Sequence, residues 1–289
     1  MSITIPMCDD FHLHLRDDIM LSLTVPQTCR TFARGLVMPN LTPPIIDGKL
    51  AAEYRSRILK EVRVTTFQDA EFSPLMALYL TESTTSKEIA QAVQGGTIHA
   101  AKLYMVPSEA TALQAGTTTH SKYGISDISK IYPALKACAD CDIPVCVHCE
   151  VGNDGQQVKV ADEKVDIFER ENEAIEHVLK PMVKDIHNLR IVVEHISTKA
   201  AVDFVLKCPD RVAATITPHH LFYNRNRIFQ NGLFAVWRNY TGLNPHHYCS
   251  PILKSEDDRM ALVAAATGDN RKFFAGTDSA PHFKAAKVR

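Results

Sequence analysis

No apolar run in the 289 residues is long enough to cross a bilayer. The first ten residues reach Asp9 and Asp10 before any extended apolar stretch, so the N-terminus carries no recognisable secretory signal. Neither sign of charge dominates: 32 Lys and Arg against 33 Asp and Glu leave a formal net charge of −1. That balance, with the basic residues scattered, gives no broad footprint for nucleic acid and favours small-molecule chemistry. Without a secretion signal, the eight cysteines read as reduced thiols of a cytoplasmic protein and not as a disulfide framework. Internal repeats and low-complexity tracts are absent. So is the Gly-rich phosphate turn that a doubly wound open sheet usually carries after its first strand.

What is present is an alternation of short apolar runs with longer amphipathic stretches. Hydrophobic residues make up 45% and charged residues 22% of the chain, enough for one large core. Periodicity and β-branched content predict eight strands, near residues 8–15, 34–38, 72–79, 98–104, 143–148, 190–195, 211–216 and 272–277. Helical patterns fall at Ala51–Val62, Ser86–Gly95, Ser126–Asp140, Ile167–Lys184, Thr198–Lys207 and Ser255–Thr267. The strand–helix alternation predicts a parallel sheet, and eight strands predict an α/β fold of the (β/α)8 TIM-barrel class, with residues 1–289 as a single domain. Only Asp278–Arg289 follow the last strand, so the final covering helix is expected to be missing and one flank uncovered. Pro107–Tyr123 and Asn224–Tyr248, the latter with the only tryptophan, Trp237, read as long loops.

Isolated polar residues end several of these apolar runs. His12 and His14 are two apart on the first strand, so both imidazoles share a face while Leu13 and Leu15 take the other. Lys102, His148 and His195 each end or nearly end a strand, and Asp278 follows the eighth. In a barrel all six converge on the C-terminal mouth, where active sites of this fold are built. Each has an ordinary reading alone: a surface lysine, a helix N-cap, a hydrogen-bonded core histidine. Together they suggest a two-cation site, because neutral imidazole and carboxylate suit zinc. A lysine buried in such a cavity loses its proton readily and can capture carbon dioxide as a bridging carbamate. Competing ligand sets are weaker. Cys138-x-x-Cys141 and Cys146-x-x-Cys149 have zinc-like spacing, but Cys146 and Cys149 tend to opposite faces. His219, His220, His246 and His247 read as loop histidines, and the charge run Asp162–Lys184 as the solvated face of a helix.

The residues in this order resemble the amidohydrolase superfamily, and the surrounding segments are similar to those of the compact bacterial-type dihydroorotases. They are Asp10–Asp17, Val37–Pro44, Ala101–Tyr104, Val147–Val151, Glu194–Lys199, Ala213–Pro218, Pro251–Lys254 and Gly276–His282. The resemblance implies a zinc-dependent hydrolase of pyrimidine biosynthesis that interconverts N-carbamoyl-L-aspartate and L-dihydroorotate. His12, His14 and Asp278 would hold one Zn2+, His148 and His195 the other, with N6-carboxylated Lys102 bridging. Asp278 would be the catalytic proton carrier. Arg16, Asn40 and His282 would bind the substrate carboxylate, Ser250 would contact substrate through its backbone, and Pro107–Tyr123, with Thr117, Thr118 and Thr119, would be a lid. A homodimer is compatible with the resemblance; no nucleic acid or membrane partner is implied.

Three departures qualify the resemblance. Ser250 stands where leucine is usual, Asn224–Tyr248 is longer than expected, and the chain ends soon after His282, where relatives contribute a further substrate contact and a final helix. The alternatives are a catalytically impaired dihydroorotase-like metal-binding or interaction protein, and a hydantoinase-like cyclic amidase.

Overall fold

Eight parallel strands lie side by side in chain order in a computed structural model that describes residues 4–65, 71–105, 123–151, 165–229 and 244–283. They are β1 (Cys8–Leu13), β2 (Phe32–Val37), β3 (Ser73–Tyr79), β4 (Ile98–Leu103), β5 (Val145–His148), β6 (Ile191–Glu194), β7 (Val212–Ile216) and β8 (Phe273–Ala275). All eight fall where the sequence places them. The larger helices between them are α1 (Leu21–Cys29), α2 (Gly48–Val64), α3 (Ser86–Gln94) and α4 (Tyr132–Asp140). After these come α5 (Arg170–Ala174), α6 (Lys180–Asp185), α7 (Lys199–Lys207), α8 (Pro218–Phe222), α9 (Asn226–Phe229) and α10 (Glu256–Thr267). The segment predicted as one helix over 167–184 is α5 and α6 joined through a π turn, Ile175–Leu179.

Period-two alternation sorts the strand residues into two packed layers. Val145 and Val147 of β5, Ile191 and Val193 of β6, and Ala101 and Leu103 of β4 join the large core between strands and helices. Their neighbours point inward: Leu36, Ala77, Ala100 and Cys146 form a second, smaller cluster at the barrel axis, with Phe11 and Val192 packed on it. One step further along the same inward rows stand Lys102, His148 and Glu194, and all three are buried. Cys149 lies in the outer core and Cys146 at the axis, so the two thiols are on opposite sides of the strand layer.

The barrel closes between its first and last strands. Asp278 N donates to His12 O at 2.8 Å and His14 N to Ser279 O at 2.9 Å. Buried Asp10 fastens this seam by accepting Thr277 N at 2.9 Å, His12 N at 3.1 Å and the Thr277 hydroxyl. Among the described residues no helix follows β8. The flank beside the seam carries a groove of about 360 Å³ lined by Leu15, Met20, Leu23, Thr24, Phe32 and Pro281.

Helix starts follow local chemistry. Thr85 and Glu88 form a capping box at α3, Ser255 and Asp258 another at α10, and Thr198 caps α7. Helix α1 lies outside the helical patterns expected from the sequence and carries Pro26 in its interior. Its buried positions, Leu21, Val25 and Cys29, nonetheless recur every four residues, and packing of that stripe outweighs the backbone bond that proline cannot make.

The loop after β3 is tied to the start of α4 by Glu82, which accepts Ser126 N at 2.9 Å and Asp127 N at 3.1 Å and pairs with the Ser126 hydroxyl and Lys130. Burial alone would raise its carboxyl, but Lys130 and the Ser126 and Asp127 donors hold it down at about 2 against an ordinary 4.5. A depressed carboxyl stabilises the fold above its unfolded value and loses that contribution as the pH falls toward its folded one. Glu82→Gln is therefore expected to melt below the wild type at pH 7, with the gap closing between about pH 4.5 and pH 2. A gap that stays constant over that window would remove this role.

Candidate metal centre

His12 belongs to β1, and His14 follows its last residue, Leu13. Their ring centroids are 5.4 Å apart, and Leu13 and Leu15 face the outer core, as the spacing requires. His12 Nδ1 lies 2.6 Å from Glu194 Oε2, and His14 Nδ1 lies 2.7 Å from Asn40 Oδ1. Both partners only accept, so each Nδ1 carries its proton and each Nε2 presents a lone pair. Those lone pairs face the same oxygen of Asp278, at 3.5 Å from His12 and 3.1 Å from His14. Potential ligand atoms of the three residues lie within 4.8 Å of one another. Two lone pairs and a carboxylate aimed at one point repel unless a cation sits between them, so the donor set fits a metal ion.

A second pair of histidines stands next to the first. His148 Nε2 is 3.0 Å from Glu150 Oε2, which leaves its Nδ1 facing His195 Nε2 at 3.0 Å. His12 and His195 have ring centroids 5.0 Å apart, which places the second pair beside the first. Lys102 is fully buried, its Nζ has no hydrogen-bond partner and stands 5.0 Å from the Tyr104 ring centroid, and His195 Nδ1 is likewise unpartnered. The lysine's charge is felt at both His195 and Glu194.

The electrostatics suit neutral imidazoles around an ionised carboxylate. Burial lowers His14 to about 4 against the opposing pull of Asp278, and lowers His195 well below its usual range, with His148 adding to the effect. Burial alone would raise Asp278, but a hydrogen bond from His14 and positive charge at His12, His195 and His14 hold it well below the carboxylate range, the same effect a cation at that point would have. Burial also lowers the Lys102 amine, the direction that frees a nucleophilic nitrogen.

Two of these residues have unusual backbones. His195 has φ 40° and Asp278 φ 49°, left-handed values that a non-glycine residue holds only when its surroundings impose them. Nearby Gly276 is required for a different reason. A Cβ there would lie 2.8 Å from the His12 Cβ and 2.9 Å from the Thr215 Cβ, because β8 passes between the two. Gly276→Ala is expected to cost about 1–3 kcal/mol through overpacking and to weaken metal binding as His12 shifts. Thermal melting and metal content measure both effects, and an unchanged pair would disprove the close approach.

The residues expected to meet the substrate lie around this cluster. Arg16, at φ 62°, donates from Nε to Pro281 O at 3.2 Å and has Nη2 3.1 Å from His282 Nε2, while its buried Nη1 has no partner. The neighbouring Asp17 pairs with Arg57 at 2.7 Å. Asn40 is held by His14. Ser250 follows Cys249, which together with Leu253, His219, Tyr223, Ala280 and Asp278 lines a cavity of about 290 Å³. Of the expected lid only Tyr123 is described; Thr117, Thr118, Thr119 and Trp237 lie outside the described residues.

Two sequence expectations need correction. His220 is not a surface histidine: it is buried, 2.7 Å from the Thr217 hydroxyl through Nδ1 and 3.1 Å from Pro251 O through Nε2, bracing the segment that carries Ser250. Glu171, within the supposed solvated charge run, is fully buried and accepts Ser197 N at 2.9 Å just beyond His195. The sequence reading also gave no role to Asp10, Glu150, Glu194 or Thr215. The available signal was an acidic or hydroxyl residue on an inward row of an otherwise apolar strand.

An eight-stranded parallel barrel with these residues at its strand ends is a hydrolase of the amidohydrolase superfamily. The chain belongs to the dihydroorotase family. It is 46% identical over 286 residues to the dihydroorotase of Methylobacillus flagellatus, covering 99% of this chain and 74% of that one. To the dihydroorotase of Nitrosococcus oceani it is 46% identical over 279 residues, covering 96% and 72%. Among solved structures it is similar to the dihydroorotase of Campylobacter jejuni, with TM-score 0.76, 33% identity and 96% and 71% coverage. The Saccharomyces cerevisiae dihydroorotase in complex with 5-fluoroorotic acid gives TM-score 0.80, 30% identity and 98% and 72% coverage. An L-hydantoinase from Arthrobacter aurescens, at 16% identity and TM-score 0.69, covering 94% and 57%, shares the fold. No family model matches the chain. Among the described residues no helix is long and apolar enough to cross a membrane.

Proposed function

We propose that this chain interconverts N-carbamoyl-L-aspartate and L-dihydroorotate, using two zinc ions held by His12, His14, Asp278, His148 and His195 and bridged by N6-carboxylated Lys102. The observation that supports this reading most is the convergence of His12 and His14 on Asp278, with His148 and His195 ring to ring next to them, beside a buried and unpartnered Lys102. When bound, the metal pair would polarise the ring amide and lower the pKa of the attacking water. Asp278, aimed into the cavity, takes the proton from the attacking water and returns it to the ring nitrogen as the amide breaks. In the synthetic direction it carries the proton the other way.

Arg16 supplies the carboxylate site. Its buried Nη1 lacks a partner, a planar guanidinium forks naturally onto a carboxylate, and His282 stands beside it. Asn40 gives its oxygen to His14, which ties it to the ligand cluster beside that site. Ser250 offers backbone groups at the cavity edge. Unpaired Arg16 Nη1 favours dihydroorotate over hydantoins, which carry no such carboxylate. All eight cysteines are free, which supports a cytoplasmic setting.

The deciding experiment measures metal per chain alongside turnover of carbamoyl-aspartate, dihydroorotate and hydantoin by the same preparation. Two zinc ions with dihydroorotate turnover agree with the reading. Zinc without turnover would mean a binding protein, and preferential hydantoin cleavage a different amidase.

A further inference from the structure

One hydroxyl at the barrel axis touches the supports of both histidine sets. Thr215, fully buried on β7, donates from Oγ1 to Glu194 Oε2 at 2.6 Å and accepts the His195 backbone N–H at 2.7 Å. Glu194 Oε2 is the same oxygen that takes the His12 Nδ1 proton at 2.6 Å. The next backbone bond continues the clamp, since Ile196 N donates to Thr215 O at 3.0 Å. Thr215 therefore grips both sides of the left-handed His195 turn while setting the carboxylate that orients His12. Three bonds converge in a consistent sense: imidazole N–H and hydroxyl O–H both into one carboxylate oxygen, amide N–H into the hydroxyl.

From this arrangement we infer that Thr215 and Glu194 form one positioning unit that sets His12 and His195 together, so that the two proposed metal positions are registered to each other through a single hydroxyl. The inference rests on the two-metal reading above. Neither residue touches the substrate; each acts through a histidine, His12 by its ring tautomer and His195 by its backbone. Partners of this kind typically contribute about 10- to 100-fold in metal affinity.

The test measures Zn2+ affinity by chelator competition in the wild type, Thr215→Val, Thr215→Ser and Glu194→Gln, with melting recorded for each. A second readout, 15N shifts of the His12 imidazole in metal-free protein, needs no metal. Thr215→Val keeps the shape and removes the hydroxyl, so Zn2+ affinity should fall about 10- to 100-fold, and Thr215→Ser should restore it to within a few-fold. The His12 ring should hold its proton on Nδ1 in the wild type and Thr215→Ser, and mix tautomers in Glu194→Gln. Wild-type affinity in Thr215→Val overturns the inference, as does a Thr215→Ser as weak as Thr215→Val, which would assign the effect to methyl packing. Should Thr215→Val fail to fold, Glu194→Gln decides: unchanged affinity and an unchanged tautomer overturn it. A wild type that takes up no Zn2+ refutes the two-metal reading instead, and the tautomer readout still decides the positioning role.

Discussion

Replacing Lys102 with methionine is expected to abolish metal binding and turnover together while raising the melting temperature of the metal-free protein. The two halves have different causes. The proposed bridging carbamate needs a lysine amine, and no other side chain of that length can form it, so both proposed metal positions would lose a shared anionic ligand. Activity should drop at least about 1,000-fold, roughly 4 kcal/mol of transition-state stabilisation. In the metal-free chain the Lys102 amine is fully buried with no hydrogen-bond partner, an arrangement that costs about 1–3 kcal/mol. Methionine fills similar space without that cost. Metal analysis, initial rates and melting of metal-free protein on one pair of samples check the whole claim. Retained metal and retained rate would end the carbamate assignment, and a lower metal-free melting point would show that Lys102 has a stabilising partner.

Asp278→Asn should lower turnover by about 100- to 10,000-fold, the range associated with a positioned proton carrier. The amide keeps an oxygen to face His12 and His14, so the variant should still take up metal, more weakly because a full negative charge is gone. Separating those outcomes requires rates at saturating zinc. A variant within about tenfold of the wild type when fully loaded would exclude Asp278 as the proton carrier. Equal losses in metal-loaded fraction and rate would reduce it to a ligand.

The barrel was readable from the sequence because buried parallel strands write themselves as short apolar runs at regular intervals, and β5 and β6 are almost uninterrupted. The ligand candidates were readable for the same reason: His148 and His195 stand out at the ends of such runs. What the sequence did not reveal is which polar residues serve others. Glu194 is one residue from His195 in the chain, yet its partner is His12, 182 residues away. His220 resembles its neighbour His219 in every local respect, and only the tertiary fold buries one of them against Pro251. Glu171 sits in a charge run whose average character is solvated, so composition there pointed away from the one member that is enclosed. Helix α1 shows only a three-residue apolar stripe, Leu21, Val25 and Cys29, around an internal proline, and its packing is a tertiary property.

The seam between the first and last strands carries a consequence for how the protein is made. Asp278 reaches its ligand partners by a backbone bond to His12, across 266 positions of chain, and Asp10 locks Thr277 into the same joint. Contacts of that span form late, after the intervening units have collapsed. Until the two ends meet, a growing polypeptide holds histidines but no complete pocket for a cation. A metal ion that needs Asp278 beside His12 and His14 would therefore be taken up only once the ring shuts, and an unfinished chain would have little with which to hold it.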